Sequence, residues 1–585
     1  MQAGDVYDEF TLHISGDKFI IQPFSFAEER PVGNESLIID RVSRDISVRE
    51  NPQIPLDAAP KQIYGIFGII RLTAGPYLIV ITKRELVGVI NQRNVYRVAG
   101  TEMHPFAKTT LHLSEVQLAD NRTLVGMVES VLDFKSYFFA TNFDITHSLQ
   151  RLSNTSPEFI QMPLHERADQ RFVWNNFMLR DLALTPEAYR FTLPIMLGFI
   201  EMHEFVVAGH VFQLALISRR SCLRAGVRFQ TRGVDAEGHA ANFVETEQIL
   251  EYGAFICSFV QTRGSIPLQW SQKPNLRWQP YPKIKLDDHL TAFHRHMQTQ
   301  IFLYGQQCIV SLVNLRGREL VVASVLKNLM LNNPPQNVKL VEFDFHKEGY
   351  VRLANLVSEI LASDCDNYGY FATRRDGQGP RFIRQQGGVF RTNCMDCLDR
   401  TNVVQSMLAK RVLQDQLRWL QVLVGQDELS HHPDFERQYK NLWADNGDAC
   451  SLQYAGTGAL KADVTRTGKR TKMGMFNDAR NAVTRYYINN FSDGYRQDAI
   501  DLCLGNFVVD EQAARTGIFN QRWGWHGYVV IGLVGVFGML ILTYFLATEH
   551  FGLYMLFWLF LLAILVAIIW THGEEFVNKP MLKQE

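Results

Sequence analysis

Two runs near the C-terminus constrain this chain more than any other part of it. Residues 528–547, from Tyr528-Val-Val-Ile-Gly to Phe545-Leu-Ala547, hold no Asp, Glu, Lys or Arg, and neither do residues 553–570, from Leu553-Tyr-Met-Leu-Phe to Ile569-Trp570. A helix needs about 20 apolar residues to cross a bilayer, and lipid tolerates only elements that satisfy their own backbone. With the short polar break Thr548-Glu-His-Phe-Gly552 between them, the two runs are expected to form a two-helix transmembrane hairpin. A helical hairpin buried in a soluble core is the alternative. Trp523, Trp525, Tyr528 and Trp570 fall at the expected membrane edges, and Gly532, Gly535 and Gly538 allow close helix approach.

A pair of spans puts both flanks on one side. The break has no Lys or Arg, whereas Arg515, Arg522, Lys579 and Lys583 flank the pair, so the large N-terminal part and the tail are expected in the cytosol. Eight cysteines without a disulfide-framework spacing, and an acidic N-terminus without an apolar core segment, agree with a reducing compartment and no secretory signal. The stretch from Asn506 to Trp523 can extend about 50–60 Å at about 3.3 Å per residue, enough to let a soluble unit range over the membrane.

At 585 residues the chain exceeds one hydrophobic core, so two or more soluble units are expected. Residues 1–175 read as mixed and β-rich: Phe10-Thr-Leu-His-Ile and Lys18-Phe-Ile-Ile-Gln alternate around Gly16-Asp17, a hairpin signal, and an amphipathic helix is expected over about 124–134. Residues 176–505 alternate strands such as Gln307-Cys-Ile-Val-Ser and Val338-Lys-Leu-Val-Glu with helices such as 320–331, which argues for an α/β domain. Residues 506–527 form the linker and 571–585 the tail. Net charge is −1, so affinity for anionic partners must come from local patches.

Chemistry concentrates in Arg391-Thr-Asn-Cys-Met-Asp-Cys-Leu-Asp-Arg-Thr-Asn402. Gly387-Gly-Val-Phe reads as a strand leaving a turn, and Val403, Val404, Met407 and Leu408 recur at helical spacing, so a strand, a tight loop and a helix N-terminus follow one another. Such a corner suits an oxyanion, because loop amides and free helix N–H groups converge where the helix dipole favours negative charge. Cys394 and Arg400 stand in C-x5-R-T order. The field lowers the thiol below its free value of about 8.5 and supplies a thiolate nucleophile. Arg400 offers two parallel hydrogen bonds to a phosphoryl group. Asp399 or Asp396 can protonate the leaving oxygen. The bland alternative is a buried cysteine in a turn with Arg400 pairing a neighbouring aspartate. Cys394-x-x-Cys397 is the only close cysteine pair; thioredoxin-like redox chemistry, a reversible disulfide guarding the nucleophile and simple packing of Cys397 all remain open.

This twelve-residue string resembles the signature of the Sac-domain phosphoinositide phosphatases. It differs from tyrosine phosphatases in having Asn393 before the cysteine and no glycine in the loop. The resemblance extends through Ala241-Asn-Phe-Val-Glu-Thr-Glu-Gln248 and Gln261-Thr-Arg-Gly-Ser-Ile-Pro-Leu-Gln-Trp-Ser271. It implies a separate N-terminal domain packed on the catalytic one, Cys394 as nucleophile, Arg400 as phosphate clamp, Asp399 as favoured acid with Asp396 second, and Asn393 and Thr401 orienting loop and thiolate. Together with the hairpin, the layout resembles the members of that family anchored in the endoplasmic reticulum and Golgi. It implies phosphatidylinositol 4-phosphate as main substrate with other monophosphates accepted, no metal or other cofactor, and membrane-contact or trafficking proteins as partners. One departure is the tail, where Lys583 stands third from the end without a lysine at the fourth or fifth position, so a dilysine retrieval signal is incomplete.

Other charged stretches are less decided. Arg219, Arg220, Arg224 and Arg228 either line a phosphate cleft or form a solvated face; Glu245 and Glu247 either bind a metal or pair those arginines. Lys461, Arg466 and Lys469 sit in a glycine-bearing basic stretch with few aromatics for base stacking, which favours lipid headgroups over nucleic acid. Two rivals to a lipid phosphatase remain: a membrane-tethered protein tyrosine phosphatase, and a catalytically silent phosphoinositide-binding tether.

Overall fold

The computed structural model describes residues 4–582 except 57, 286–288, 377–378, 461, 468–470, 511–513, 516, 520–523 and 548. Lys461, Lys469, Arg522, Trp523 and Lys583 therefore lie outside the described residues.

The expected hairpin Phe10–Ile14/Lys18–Ser25 forms, with Leu12 opposite Ile21 and Ile14 opposite Phe19. It belongs to a six-stranded antiparallel sheet whose inward Phe10, Leu12, Phe19, Ile21, Leu37 and Ile39 are fully buried. That alternation is what a sheet with one buried face requires.

A second, 13-stranded sheet carries the rest of the soluble part. Its antiparallel half runs from Ile66–Leu72 through Gly75–Ile90, Arg93–Pro105, Tyr137–Phe139, Met196–Val207, His210–Arg220 and Val244–Tyr252 to Phe255–Arg263. The boundary expected at residue 175 falls within this continuous sheet, because Tyr137–Phe139 pairs with Arg93–Pro105 on one side and with Met196–Val207 on the other. The other half is parallel: Val338–Glu342, Gln306–Ser311 and Gly388–Asn393 pair in one direction, and the last also pairs in parallel with Thr262 and Arg263. The α/β pattern expected of the whole catalytic region is thus local to these strands and their helices; the sheet is mixed.

The helix expected over 124–134 runs from Glu115–Leu132. Ser114 accepts the Gln117 N–H while Gln117 reaches back to Ser114, a capping box that sets its start ten residues before the first strongly apolar turn.

Trp525–Leu546 and Phe551–Thr571 are each long and apolar enough to cross a membrane, and little of either is buried within the protein. The chain beside them is not a free tether. Phe507, Val509, Ile518 and Phe519 pack on the core beneath the antiparallel half, and the Ile518 N–H donates to Asp120 Oδ2 at 2.6 Å. Beyond the second apolar helix the tail returns to the soluble part. Both oxygens of buried Asp498 accept tail amides, Oδ2 from Met581 at 2.7 Å and Oδ1 from Leu582 at 3.0 Å, while Leu582 is buried in the same core. The ranging linker expected from its length alone is therefore replaced by attachment on both sides of the apolar pair.

Candidate active site

Gly388–Asn393 is the central parallel strand, and Asp399–Trp419 is the helix that follows. The helix buries Val404, Leu408, Val412 and Leu413 at helical spacing against the sheet, which fixes the angle at which the loop leaves the strand. Upstream, buried Arg391 donates through Nε to His296 Nε2 at 2.9 Å and through Nη2 to Ser265 O at 2.7 Å. Burial pushes His296 down to about 3, so it is neutral and accepts that bond while Nδ1 donates to Gly238 O.

Cys394 is buried at the turn. Its Sγ accepts the Cys397 N–H at 3.1 Å and the Thr401 hydroxyl at 3.6 Å. Hydrogen bonding from Cys397 brings the Cys394 thiol down to about 6, with help from the Arg400 charge and Thr401 against the opposing effect of burial. Cys397 takes a left-handed backbone at φ 56°, turns its Sγ to Gly264 O at 2.8 Å and is held protonated by burial and by the neighbouring Cys394. The helix start, Leu398, has no side-chain cap, so the first-turn N–H groups face the loop without a competing side chain.

The two loop carboxylates differ. Asp396 accepts two bonds from Arg228, at 3.0 and 2.7 Å, and one from Arg232 at 2.6 Å. Burial works against its charge, but the two guanidinium groups prevail and keep it ionised far below the ordinary carboxylate range. Asp399 accepts the Leu460 N–H at 2.9 Å, and burial raises it above the ordinary value, with Arg485 opposing. Arg400 donates to both oxygens of Glu319, at 3.0 and 2.9 Å, and to Leu312 O at 2.9 Å.

A SacI homology domain profile matches residues 64–349. Phosphatidylinositol-3-phosphatase SAC1-B of Danio rerio is 46% identical over 99% of this chain and 99% of its own. The chain belongs to the SAC1 family of phosphoinositide phosphatases. Phosphatidylinositol-3-phosphatase SAC1 of Drosophila melanogaster is 40% identical over 99% of this chain and 97% of its own, and that of Saccharomyces cerevisiae 34% identical over 96% and 92%.

In this SAC1-family chain the structure gathers the candidate residues Cys394, Asp396, Asp399, Arg400 and Thr401 on one turn. Asn393 is fully buried in the strand, and among the described residues neither atom of its amide has a hydrogen-bond partner. Arg466 pairs with Asp445 at 2.8 Å and Asp448 at 3.2 Å, so its guanidinium is held on a neighbouring helix. The basic run divides. Arg219 is buried and pairs with Glu245 at 2.9 Å and Glu247 at 2.7 Å, the internal pairing weighed against a metal site; Arg220 is buried over the Trp174 ring; Arg228 reaches the loop.

Sequence reasoning did not single out Arg232, Glu319 or Arg485. Arg232 also donates to Met395 O at 2.7 Å, so it holds the loop by backbone and side chain. Arg485 lies in a helix whose inward residues are polar, the one local signal that it faces something charged.

Proposed function

We propose that the protein hydrolyses phosphatidylinositol 4-phosphate, and other monophosphates such as the 3-phosphate, to phosphatidylinositol through a phosphocysteine. The observation that carries the reading is Cys394, a thiol drawn down to about 6 just before an uncapped helix start, where Asp399 in the first turn is a carboxyl that burial keeps protonatable. Cys394 Sγ attacks phosphorus in line, and the bond to the inositol oxygen breaks as Asp399 gives that oxygen its proton. Water then attacks phosphorus as Asp399 takes a proton from it, the phosphorus–sulfur bond breaks, and phosphate leaves with the thiolate restored. Asp396 serves as an anchor for the loop, because its two arginines hold it ionised. The first-turn amides and Arg400 stabilise the charge on the phosphoryl oxygens. Substrate phosphate must win Arg400 from Glu319, which occupies it here. The relatives' name as 3-phosphatases supports acceptance of that isomer.

The apolar pair supports a membrane anchor; we propose that the soluble part and tail lie on the cytosolic face of the endoplasmic reticulum and Golgi. The test is phosphate release by the full chain in vesicles carrying each phosphatidylinositol monophosphate, with chelator present and Cys394→Ser as control. Release that survives chelation and needs Cys394 is expected. Headgroup binding without release would instead favour the silent tether, and turnover of phosphopeptides alone the tyrosine phosphatase.

A further inference from the structure

The helix Lys472–Phe491 is built inside out. Its buried residues are Arg485, Asn489 and Asn490, whereas Met473, Phe476, Val483, Tyr487 and Phe491 are exposed, Phe476 at 66% and Tyr487 at 62%. Together with exposed Arg480, these recur at steps of three and four, which draws one stripe along about 27 Å of helix. The inward face is committed: Arg485 donates to Thr457 Oγ1 at 3.0 Å, Ser451 Oγ at 3.1 Å and Gly458 O at 2.9 Å. Rotating the helix to hide its apolar stripe would strand that guanidinium. In water alone the arrangement is unfavourable on both faces, since it desolvates a cation and hydrates a row of large apolar side chains. A contiguous exposed patch of this kind marks a surface with another apolar phase to meet.

The position of the helix says which phase. Its last turn is tied to the base of the second apolar helix: the Asn578 N–H donates to Asn490 O at 2.7 Å, and Asn578 Oδ1 accepts the Tyr495 N–H at 2.8 Å. A neighbouring loop joins the same corner. Tyr486 donates to Leu276 O at 2.7 Å, Trp278 stacks on Tyr486 with ring centroids 5.4 Å apart, and Lys283 lies 3.7 Å from Glu574. Trp278 and Tyr281 are both more than half exposed. With the tail amides held on Asp498, the soluble part cannot swing this corner away from the base of the apolar pair. Exposed Trp and Tyr beside an arginine with a long apolar stem are the residue types that settle at a membrane interface.

We propose that the stripe of Lys472–Phe491, with Trp278 and Tyr281, is an interfacial surface that rests in the headgroup and acyl boundary of the bilayer crossed by the two apolar helices. The proposal rests on the anchoring reading and not on catalysis. Arg485, on the face of this helix opposite the stripe, and Leu460, upstream of the helix, both act on Asp399, so the helix itself stands between the bilayer and the loop that carries the acid.

The test uses the full chain in phosphatidylcholine vesicles doped with phosphatidylinositol 4-phosphate. A photoreactive residue is placed by Tyr487→p-benzoylphenylalanine, with Val42→p-benzoylphenylalanine, 75% exposed on the small sheet, as the control. Lipid adducts at position 487 and none at 42 are expected. Absence of adducts at 487, equal yields at both positions, or adducts to protein only would overturn the proposal. A Phe476→Glu/Val483→Glu/Tyr487→Glu variant should lower turnover of the vesicle-borne lipid about tenfold or more while sparing a soluble short-chain analogue. Unchanged vesicle turnover also overturns it, and loss on both substrates leaves the adducts to decide. If the unaltered protein releases no phosphate yet gives adducts at 487, the surface stands and the phosphatase reading falls.

Discussion

Asp396 and Asp399 stand three residues apart on one turn and meet opposite surroundings. Asp396 is gripped by two arginines from a distant loop, one of them almost fully buried, and they hold its carboxylate well below the ordinary range. Asp399 has one backbone N–H and a burial that favours its proton. In the proposed mechanism the turn carries both a fixed anion and a mobile proton, and environment, not residue type, separates them. Asp396 is then scaffold, while Cys394 and Asp399 are machinery. Arg400 follows the same division: its partner Glu319 comes from another element, and the proposal has substrate phosphate displace it.

The division predicts very different responses along one short segment. Cys394→Ser should abolish release, a loss on the order of 10⁴-fold or more, with the melting temperature little changed. Measurable turnover in that variant would place the nucleophile elsewhere.

Asp399→Asn should cost about 10²–10⁴-fold, the usual contribution of a general acid. The pH profile sharpens the assignment. Cys394, lowered to about 6, must be deprotonated, so kcat/KM rises as pH climbs through about 6. In the proposed mechanism Asp399, raised above its ordinary value by burial, acts protonated, so its ionisation gives the limb on which the rate falls. Asp399→Asn should therefore remove the falling limb and keep the rising one. A falling limb that persists in Asp399→Asn but disappears in Asp396→Asn would reverse the comparison between the two carboxylates.

Asp396→Ala should behave as a stability variant. It leaves Arg232, which is almost wholly buried, without its carboxylate, and losing one partner of such a pair costs about 3–5 kcal/mol. The urea midpoint of the full chain should drop, and whatever folds should keep its pH profile. A normal midpoint with a shifted profile would make Asp396 part of the machinery after all.

How far the sequence reached follows the same line between local and distant. The C-x5-R-T turn, its strand and helix, and the apolar pair were legible because each is written within about 20 consecutive residues. The fate of Arg219 was not, because Glu245 meets it only through the pairing of two strands, and a run of arginines reads alike whether solvated or buried. The boundary at 175 failed to appear as a break for a related reason: Tyr137–Phe139 bridges strands on either side of it by register, which no composition shift reveals. Arg232, Glu319 and Arg485 reach the loop from far along the chain. The return of the tail was hidden because backbone amides of Asn578, Met581 and Leu582 make much of it, and backbone amides have no sequence signature.

Glu319→Gln is the mildest change and the one that asks most of the comparison. The Arg400–Glu319 pair is part-exposed, with side chains 24% and 19% accessible, so its net value is on the order of 1 kcal/mol. If Glu319 merely competes with substrate phosphate, its neutralisation frees Arg400 and lowers KM by about fivefold, the equivalent of that energy, with kcat held. If Glu319 instead aims the guanidinium, Arg400 loses its orientation, and kcat falls with little change in KM, because the interaction missing is one made only in the transition state. The first outcome keeps Arg400 on the movable side of the loop with Asp399. The second moves it to the scaffold with Asp396, and would mean that the charge meeting the phosphoryl group is set before substrate arrives.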